Sequence, residues 1–299
     1  MNLKCHICNT ESKFLLKKDG FDLYECPNCK LVFVFPQPTP ETLAKEIYSE
    51  ESGYQSNRAR QDLSVGEEQE RIKIVFDYFQ KIKPNGRILD VGCGNGQSLY
   101  WAKKRGFEPY GVELNKRTAD SAKANGLEVY NGFLENAPYP KNSFDFVFLG
   151  EIIEHVNNPR NLIKQCSEFL KPSGVIVITT PNIDCAWSKT TFQLYKLFKI
   201  PWSSVTPPYH LFQFSPKNLD DFLKQEDFEF VEGKFLRIPP LMYELGMLHL
   251  LKRYKQSKKI KDLIFAYFSF GIYTAIHTMF KILHPLMNKD FEMIRMYKK

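Results

Sequence analysis

Ile88-Leu89-Asp90-Val91-Gly92-Cys93-Gly94-Asn95-Gly96 runs into a helix-like stretch from Gln97 to Arg105 and then into Tyr110-Gly111-Val112-Glu113. Ile88 to Val91 is a short apolar run that suits a buried parallel strand. Gly92, Gly94 and Gly96 have no Cβ, so the backbone here can turn sharply and come close to a ligand. Leu99, Trp101 and Ala102 give the next stretch an apolar side, and Lys103 to Arg105 mark its C-terminal end. Phe107 to Val112 then reads as a second strand. Glu113, at its end, is placed to grip a ribose diol.

A pyrophosphate-binding turn would read Gly-x-Gly-x-x-Gly, and this chain has Gln97 after Gly96. Asp90 beside the turn would repel a pyrophosphate and suits a cationic amino-acid group. On these residues the stretch resembles the first motif of the class I S-adenosylmethionine-dependent methyltransferases, Leu-Asp-Val-Gly-Cys-Gly-x-Gly. The resemblance implies that Asp90, Gly92, Cys93, Gly94 and Gly96 hold the methionine moiety. It implies that Glu113, with Leu114 beside it, binds the ribose hydroxyls, and that Phe133 and Leu134 stack on the adenine, with Glu135 at its edge.

The pattern continues downstream. Leu127 to Tyr130 reads as a third strand, and Phe144-Asp145-Phe146-Val147 resembles the family's Phe-Asp-x-Val strand. Gly150-Glu151-Ile152-Ile153-Glu154-His155-Val156 follows at that strand's C-terminal end, where open α/β sheets place their ligands. Glu154-His155-Val156 matches the family's Glu-His-Val, and Glu151 is a further cofactor-binding candidate. Asn161 to Leu170 reads as a helix and Val175 to Thr180 as a buried strand. The alternation over residues 87–180 predicts a parallel sheet with helices on both faces. The resemblance makes this a Rossmann-like seven-stranded methyltransferase sheet.

Pro207-Pro208-Tyr209-His210-Leu211-Phe212-Gln213-Phe214-Ser215 looks like the segment before the last helix in sugar and small-molecule members of the family. Nucleotide-sugar C-methyltransferases have Glu-His-Leu there, and Tyr209 replaces that Glu. Methyl transfer from a sulfonium often uses a base, and histidine suits neutral pH. His210 and His155 are the catalytic candidates. Either could instead have a purely structural role, His155 bonding backbone at the sheet edge and His210 packing under the last helix. Ser215-Pro216 starts a helix through Lys224, and Phe228 to Val231 begins the final antiparallel strands.

Four of the seven cysteines form Cys5-x-x-Cys8 and Cys26-x-x-Cys29. This spacing fits a zinc ribbon, in which two knuckles bring four thiolates to one tetrahedral ion. Disulfides or a redox dithiol are the rival reading. Met1 to Lys4 leads into cysteines rather than an apolar targeting segment, which points to a reducing cytoplasm and thiols that bind metal. Lys13 to Leu16, Asp22 to Glu25 and Leu31 to Phe35 are the expected ribbon strands. Lys13, Lys17, Lys18 and Lys30 are offset by Glu11, Asp19, Asp22 and Glu25, so a nucleic-acid clamp is not favoured. A stiff Pro-rich joint follows at Pro36 to Pro40. A helix starts near Thr39-Pro40-Glu41 with Leu43, Ala44, Ile47 and Tyr48 at helical intervals. Glu50 to Glu70 is a polar segment or lid, and Ile72 to Ile82 is an amphipathic helix.

The chain has 299 residues, 43% hydrophobic and 25% charged, enough for one large domain and a small one. The expected division is a ribbon over 1–36, a helical linker or lid over 37–83, the methyltransferase domain over 84–235 and a helical extension over 236–299. In the extension, Lys252, Arg253, Lys255, Lys258, Lys259 and Lys261 supply much of the net charge of +7. They precede an apolar stretch from Leu263 to Phe280. Tyr273, His277, Lys281, His284 and Asn288 form one helical stripe, which argues against a spanning helix. Two readings stand: a helix in a membrane interface, giving peripheral contact through residues 252–285, or a lid or dimer surface. The expected acceptor is a small molecule: a saccharide, a nucleotide sugar or a lipid-linked glycan. The rivals are a zinc-ribbon RNA methyltransferase and a non-catalytic scaffold that binds S-adenosylmethionine. Gly150-Glu151-Ile152-Ile153 stands where base N-methylation would favour Asn/Asp-Pro-Pro-Tyr.

Overall fold

The computed structural model describes residues 3–39, 42–43, 67–199, 202, 204–236, 259–283 and 290–299. Most of the helix expected near Thr39 to Tyr48, most of the Glu50 to Glu70 segment, Lys252 to Lys258, His284 and Asn288 lie outside them; Thr42 and Leu43 are described and helical.

The centre is a seven-stranded sheet. Strands β4 (Arg87–Val91), β5 (Glu108–Glu113), β6 (Glu128–Asn131), β7 (Phe144–Gly150) and β8 (Leu170–Pro181) run parallel to one another. β10 (Glu229–Leu236) and β11 (Glu292–Lys298) extend the β8 edge antiparallel, in the order β10-β11-β8-β7-β4-β5-β6. Helices α1 (Glu70–Ile82), α2 (Gln97–Lys104), α3 (Lys116–Ala124), α4 (Pro159–Phe169), α5 (Ala186–Phe198) and α6 (Pro216–Gln225) connect or cover the strands. The expected class is therefore the observed one.

Covering both faces explains the sequence of the middle strands. Phe146, Val147, Phe148 and Leu149 on β7 and Ile176, Val177 and Ile178 on β8 are all buried, so neither strand alternates. Ile72, Val75, Phe76 and Phe79 form the buried face of α1. Phe79 stacks on Phe146 with ring centroids 4.0 Å apart. Burying a ring of this size contributes about 1.5–3 kcal/mol.

Two boundaries are corrected. β11 comes from the expected helical extension, yet it lies between β10 and β8 in the main sheet, so the sheet domain is not confined to 84–235. The swap is physical: Met293, Ile294, Met296 and Tyr297 are buried, and β11 bonds to strands on both sides. The ribbon is not a separate module either. β1 (Lys13–Lys18), β2 (Phe21–Glu25) and β3 (Val32–Phe35) form an antiparallel sheet whose fourth strand is β9 (Phe212–Gln213), two residues after His210.

The extension contributes one long helix, α7 (Ile260–Leu283). Asp262, Ala266, Ser269, Tyr273, His277 and Phe280 form its buried side. The rings of Tyr273, His277 and Phe280 meet Trp187 of α5 at 5.9, 5.9 and 5.5 Å. Ile260, Ile264, Tyr267, Phe268, Met279 and Ile282 face outward. Tyr273 and His277 of the stripe thus face the protein, Lys281 is exposed, and much of the opposite apolar side faces out.

Candidate active site and metal centre

The C-terminal ends of β4, β5, β7 and β8 converge on one edge of the sheet. Asp90, next to last in β4, is 3% exposed and accepts a hydrogen bond from the Ser98 hydroxyl of α2. Burial pushes its carboxyl up to about 7; Ser98 and Arg71 pull it down, and Glu113 pushes it further up. Glu113 ends β5, 7% exposed. Its Oε2 accepts from Gly94 N at 2.8 Å and its Oε1 from Asn115 N at 2.7 Å. These backbone bonds hold the carboxylate in place, and a carboxylate has further lone pairs for a diol.

The turn between the two acids is built by glycine. Gly92, Gly94 and Gly96 have φ of +77°, +57° and +83°. A Cβ on Gly92 would stand 2.3 Å from Ile152 Cδ1, whereas nothing lies within 4 Å of the Cβ position of Gly94. The backbone at Gly94 therefore faces open space between two carboxylates. That cradle fits a ligand with a cationic amino group and a ribose. Cys93 is buried and its thiol is raised well above its usual range, first by burial, so it packs rather than reacts. Leu134 is buried, while Leu114 and Phe133 are 43% and 54% exposed at the rim, with Phe133 leading into the one-turn helix Leu134–Asn136.

Asp90 must be ionised to meet an ammonium group. Its free-state value of about 7 means that the ionised fraction falls as pH drops through neutrality. At pH 6 roughly a tenth remains ionised, against roughly three-quarters at pH 7.5, where the ligand's own amino group is still largely protonated, so affinity for a sulfonium amino acid should be several-fold weaker at pH 6 than at pH 7.5. Calorimetric titration with S-adenosylmethionine over that range checks this; a flat profile would remove Asp90 from cofactor binding.

A second group of side chains lies after β7 and β8. Glu151, with φ of +58°, sits 3.5 Å from Arg71 Nη1, and Glu292 of β11 binds the same guanidinium at 3.1 Å. Glu151 is raised well above the usual carboxylate range by burial, with Glu154 and Glu292 adding to the shift. It therefore faces an acidic cluster across Arg71. Glu154 is 1% exposed. His155 Nε2 lies 3.8 Å from Glu154 Oε1, and its Nδ1 is 2.7 Å from the Tyr209 carbonyl. The His155 and His210 rings meet edge-on at 4.8 Å. The Glu154 carbonyl accepts from Leu211 N at 2.8 Å and Phe212 N at 3.2 Å, so backbone bonds lock the Glu-His loop to the His210 segment. Burial, with the charge of His155, holds His210 down to about 3, so it stays neutral at ordinary pH. Both catalytic candidates thus meet at one place. Glu154 and Arg71, which were not singled out as site residues, meet there too. Glu154 was legible in Glu154-His155-Val156; Arg71 comes from a helix with no motif.

The four ribbon cysteines also converge. Their sulfurs lie within 4.8 Å of one another, with Cys5 and Cys29 3.4 Å apart and Cys8 and Cys26 3.4 Å apart. No pair is bonded. Ile7 N donates to Cys5 Sγ and Cys29 N to Cys26 Sγ, and Asn9 and Lys30 take positive φ just after each Cys-x-x-Cys. Two such knuckles present four sulfurs that could hold one tetrahedral ion.

Residues 66–232 match the family described as a methyltransferase domain. The chain belongs to that family, the class I S-adenosylmethionine-dependent methyltransferases. Curated relatives include a ubiquinone biosynthesis O-methyltransferase of Alkalilimnicola ehrlichii, 33% identical over 103 residues, or 32% of this chain and 42% of that protein. A Proteus mirabilis protein of the same name is 31% identical over 104 residues, 32% of this chain and 42% of that one. The aligned stretch spans less than half the length of either. Among solved structures, Haemonchus contortus phosphoethanolamine N-methyltransferase 2, in complex with S-adenosyl-L-methionine, shares the fold. It is 16% identical with a TM-score of 0.52, covering 90% of this chain and 61% of that one.

Proposed function

We propose that this chain transfers a methyl group from S-adenosylmethionine to a hydroxyl of a saccharide, a nucleotide sugar or a lipid-linked glycan. The observation that carries the reading is the open glycine turn between Asp90 and Glu113, on the same sheet edge as the Glu154, His155 and His210 cluster. In the reaction the acceptor oxygen attacks the methyl carbon in line. The S–C bond breaks as the O–C bond forms, and the hydroxyl proton is lost beside that cluster. The named relatives are O-methyltransferases of a small molecule, which supports oxygen as the acceptor atom. A structural zinc on Cys5, Cys8, Cys26 and Cys29 suits the four-sulfur donor set.

A lipid-linked acceptor is favoured by α7. Its outward side is apolar, and the basic run from Lys252 to Lys261 leads into it. By length and composition it could cross a bilayer, but 28% of that window is buried and Asp262, Ser269 and His277 face the protein. A helix lying in an anionic interface on the cytoplasmic face, with its outer side in the acyl boundary, fits both facts.

The test is tritiated methyl transfer from S-adenosylmethionine to nucleotide sugars and to glycolipid extracts, with phosphatidylglycerol vesicles present. Label in a glycolipid is expected, together with a loss of vesicle co-sedimentation of at least about tenfold in the Ile264→Glu/Phe268→Glu variant. Label in RNA, or in no acceptor of either class, would overturn the substrate reading. Equal failure of both proteins to sediment would overturn the membrane reading.

A further inference from the structure

α5 ends in an apolar tip that the fold leaves uncovered. Leu197 and Phe198 are 71% and 50% exposed, although they belong to a helix that buries Trp187, Ser188 and Thr191. The helix stops directly after them. Lys199 takes φ of +58°, and its N–H donates to the Tyr195 carbonyl at 3.0 Å. Single exposed apolar residues need no explanation. Two large adjacent ones at a helix end, beside a further apolar face, do.

That further face is the outward side of α7, and the two helices are packed together. Trp187 of α5 meets the rings of Tyr273, His277 and Phe280. Leu194 of α5 and Phe265, Ile272 and Ile276 of α7 pack around the same cluster. One helix pair therefore carries both exposed apolar sides.

The exposed charge on this pair has one sign. α5 contains no Asp or Glu, and the single acid of α7, Asp262, is buried. Lys189, Lys196, Lys199, Lys261 and Lys281 are all exposed. Lys189 pairs with Asp184 at 2.6 Å, just before α5. Lys196 Nζ lies over the Phe192 ring at 5.0 Å and Lys199 Nζ over the Tyr195 ring at 5.2 Å, so both cations stay beside the tip. Apolar side chains flanked by cations, with no exposed carboxylate on either helix, complement an anionic lipid surface.

We propose that Leu197 and Phe198 are a second point of insertion into an anionic bilayer, acting with the outward side of α7. This rests on the membrane reading of α7 given above and adds a separate anchor to it. The chain beyond the tip leads inward. Trp202 and Val205 pack with Leu23 and Val34 of the ribbon sheet, and the segment then reaches Tyr209 and His210. A tip held in the bilayer keeps that segment on the membrane side, where a lipid-linked acceptor arrives.

The experiment is co-sedimentation of the full chain with phosphatidylglycerol and with phosphatidylcholine vesicles. Wild type is compared with Leu197→Glu/Phe198→Glu, with the milder Leu197→Ser/Phe198→Ser and with Ile264→Glu/Phe268→Glu. Melting curves and S-adenosylmethionine titrations on each variant establish that it is folded. The expected result is binding to phosphatidylglycerol that weakens at least about tenfold in both tip variants, with cofactor affinity unchanged. Wild-type binding by the tip variants, with loss in Ile264→Glu/Phe268→Glu, would overturn the tip and leave the α7 reading standing. Loss in the tip variants alone would support the tip and sink the α7 reading. No sedimentation of wild type would sink both. Equal binding to phosphatidylcholine would overturn the anionic surface as the partner. A wild-type dimer that the tip variants turn into monomers, without vesicle binding, would make this face a contact between copies of the chain and overturn the proposal.

Discussion

Replacing Cys26 with serine, or treating the protein with a strong chelator of the proposed zinc, should abolish methyl transfer while leaving cofactor binding largely intact. Cys5, Ile7, Cys26, Leu31 and Phe33 of the ribbon pack into the main core, and the proposed structural zinc would add folding energy at the four sulfurs. Its loss would spread by identifiable contacts. β3 pairs with β9 through Val32–Gln213 and Phe33–Phe212. Val34 N donates to the Leu211 carbonyl at 3.0 Å, and Asn218 Nδ2 donates to the Cys29 carbonyl at 3.3 Å. His6 packs edge-on against Phe33 and Phe212. His210 is thus carried by a segment that the ribbon holds in register. A displacement of about 1 Å at a reacting group can cost about 100-fold in rate, and a loss of at least that size is expected. The Asp90 turn makes none of these contacts, so cofactor affinity should change by less than about threefold. Turnover that survives complete zinc removal would show that the ribbon does not position the acceptor site.

Gly92→Val and Gly94→Ala should both weaken cofactor binding at least about 100-fold, but for different reasons. Valine at position 92 meets Ile152 Cδ1 at 2.3 Å and must adopt φ near +77°. Left-handed backbone costs roughly 1–2 kcal/mol and overpacking about 1–3 kcal/mol more. The thermal midpoint of Gly92→Val should therefore fall together with its affinity. At Gly94 nothing in the protein stands within 4 Å of the new methyl, so only the backbone strain of φ +57° opposes it. Gly94→Ala should stay folded within about 2 kcal/mol of wild type, because its methyl enters the cofactor's space rather than the core. Melting curves and cofactor titrations on both variants separate the two effects. Normal binding by Gly94→Ala would show that the cofactor does not approach that loop.

The parts of this fold that could be read from sequence are those with a local chemical reason. β4, the glycine turn, β5 ending in Glu113 and the apolar middles of β7 and β8 each follow from a short pattern, and the four cysteines follow from spacing. What escaped was non-local. β11 falls within the expected helical extension over 236–299, and nothing within Glu292 to Lys298 states that it inserts between β10 and β8. β9 is two residues long and pairs with a sheet some 180 positions earlier, which no periodicity encodes. Arg71 looks like an exposed position on an amphipathic helix, and only the packing of α1 against the sheet turns it toward Glu151 and Glu292. α7 shows the limit of the helical stripe: period puts Tyr273 and His277 on one face, but period alone cannot say that this face is the buried one.

Central to this account is that the turn between Asp90 and Glu113 holds S-adenosylmethionine. Isothermal titration of the full chain with S-adenosylmethionine at pH 7.5, beside the Glu113→Ala variant, tests this directly. One saturable site in the wild type, displaced by S-adenosylhomocysteine and weakened at least about 100-fold in Glu113→Ala, is the predicted result. No binding at millimolar cofactor, or equal binding by the variant, would contradict it.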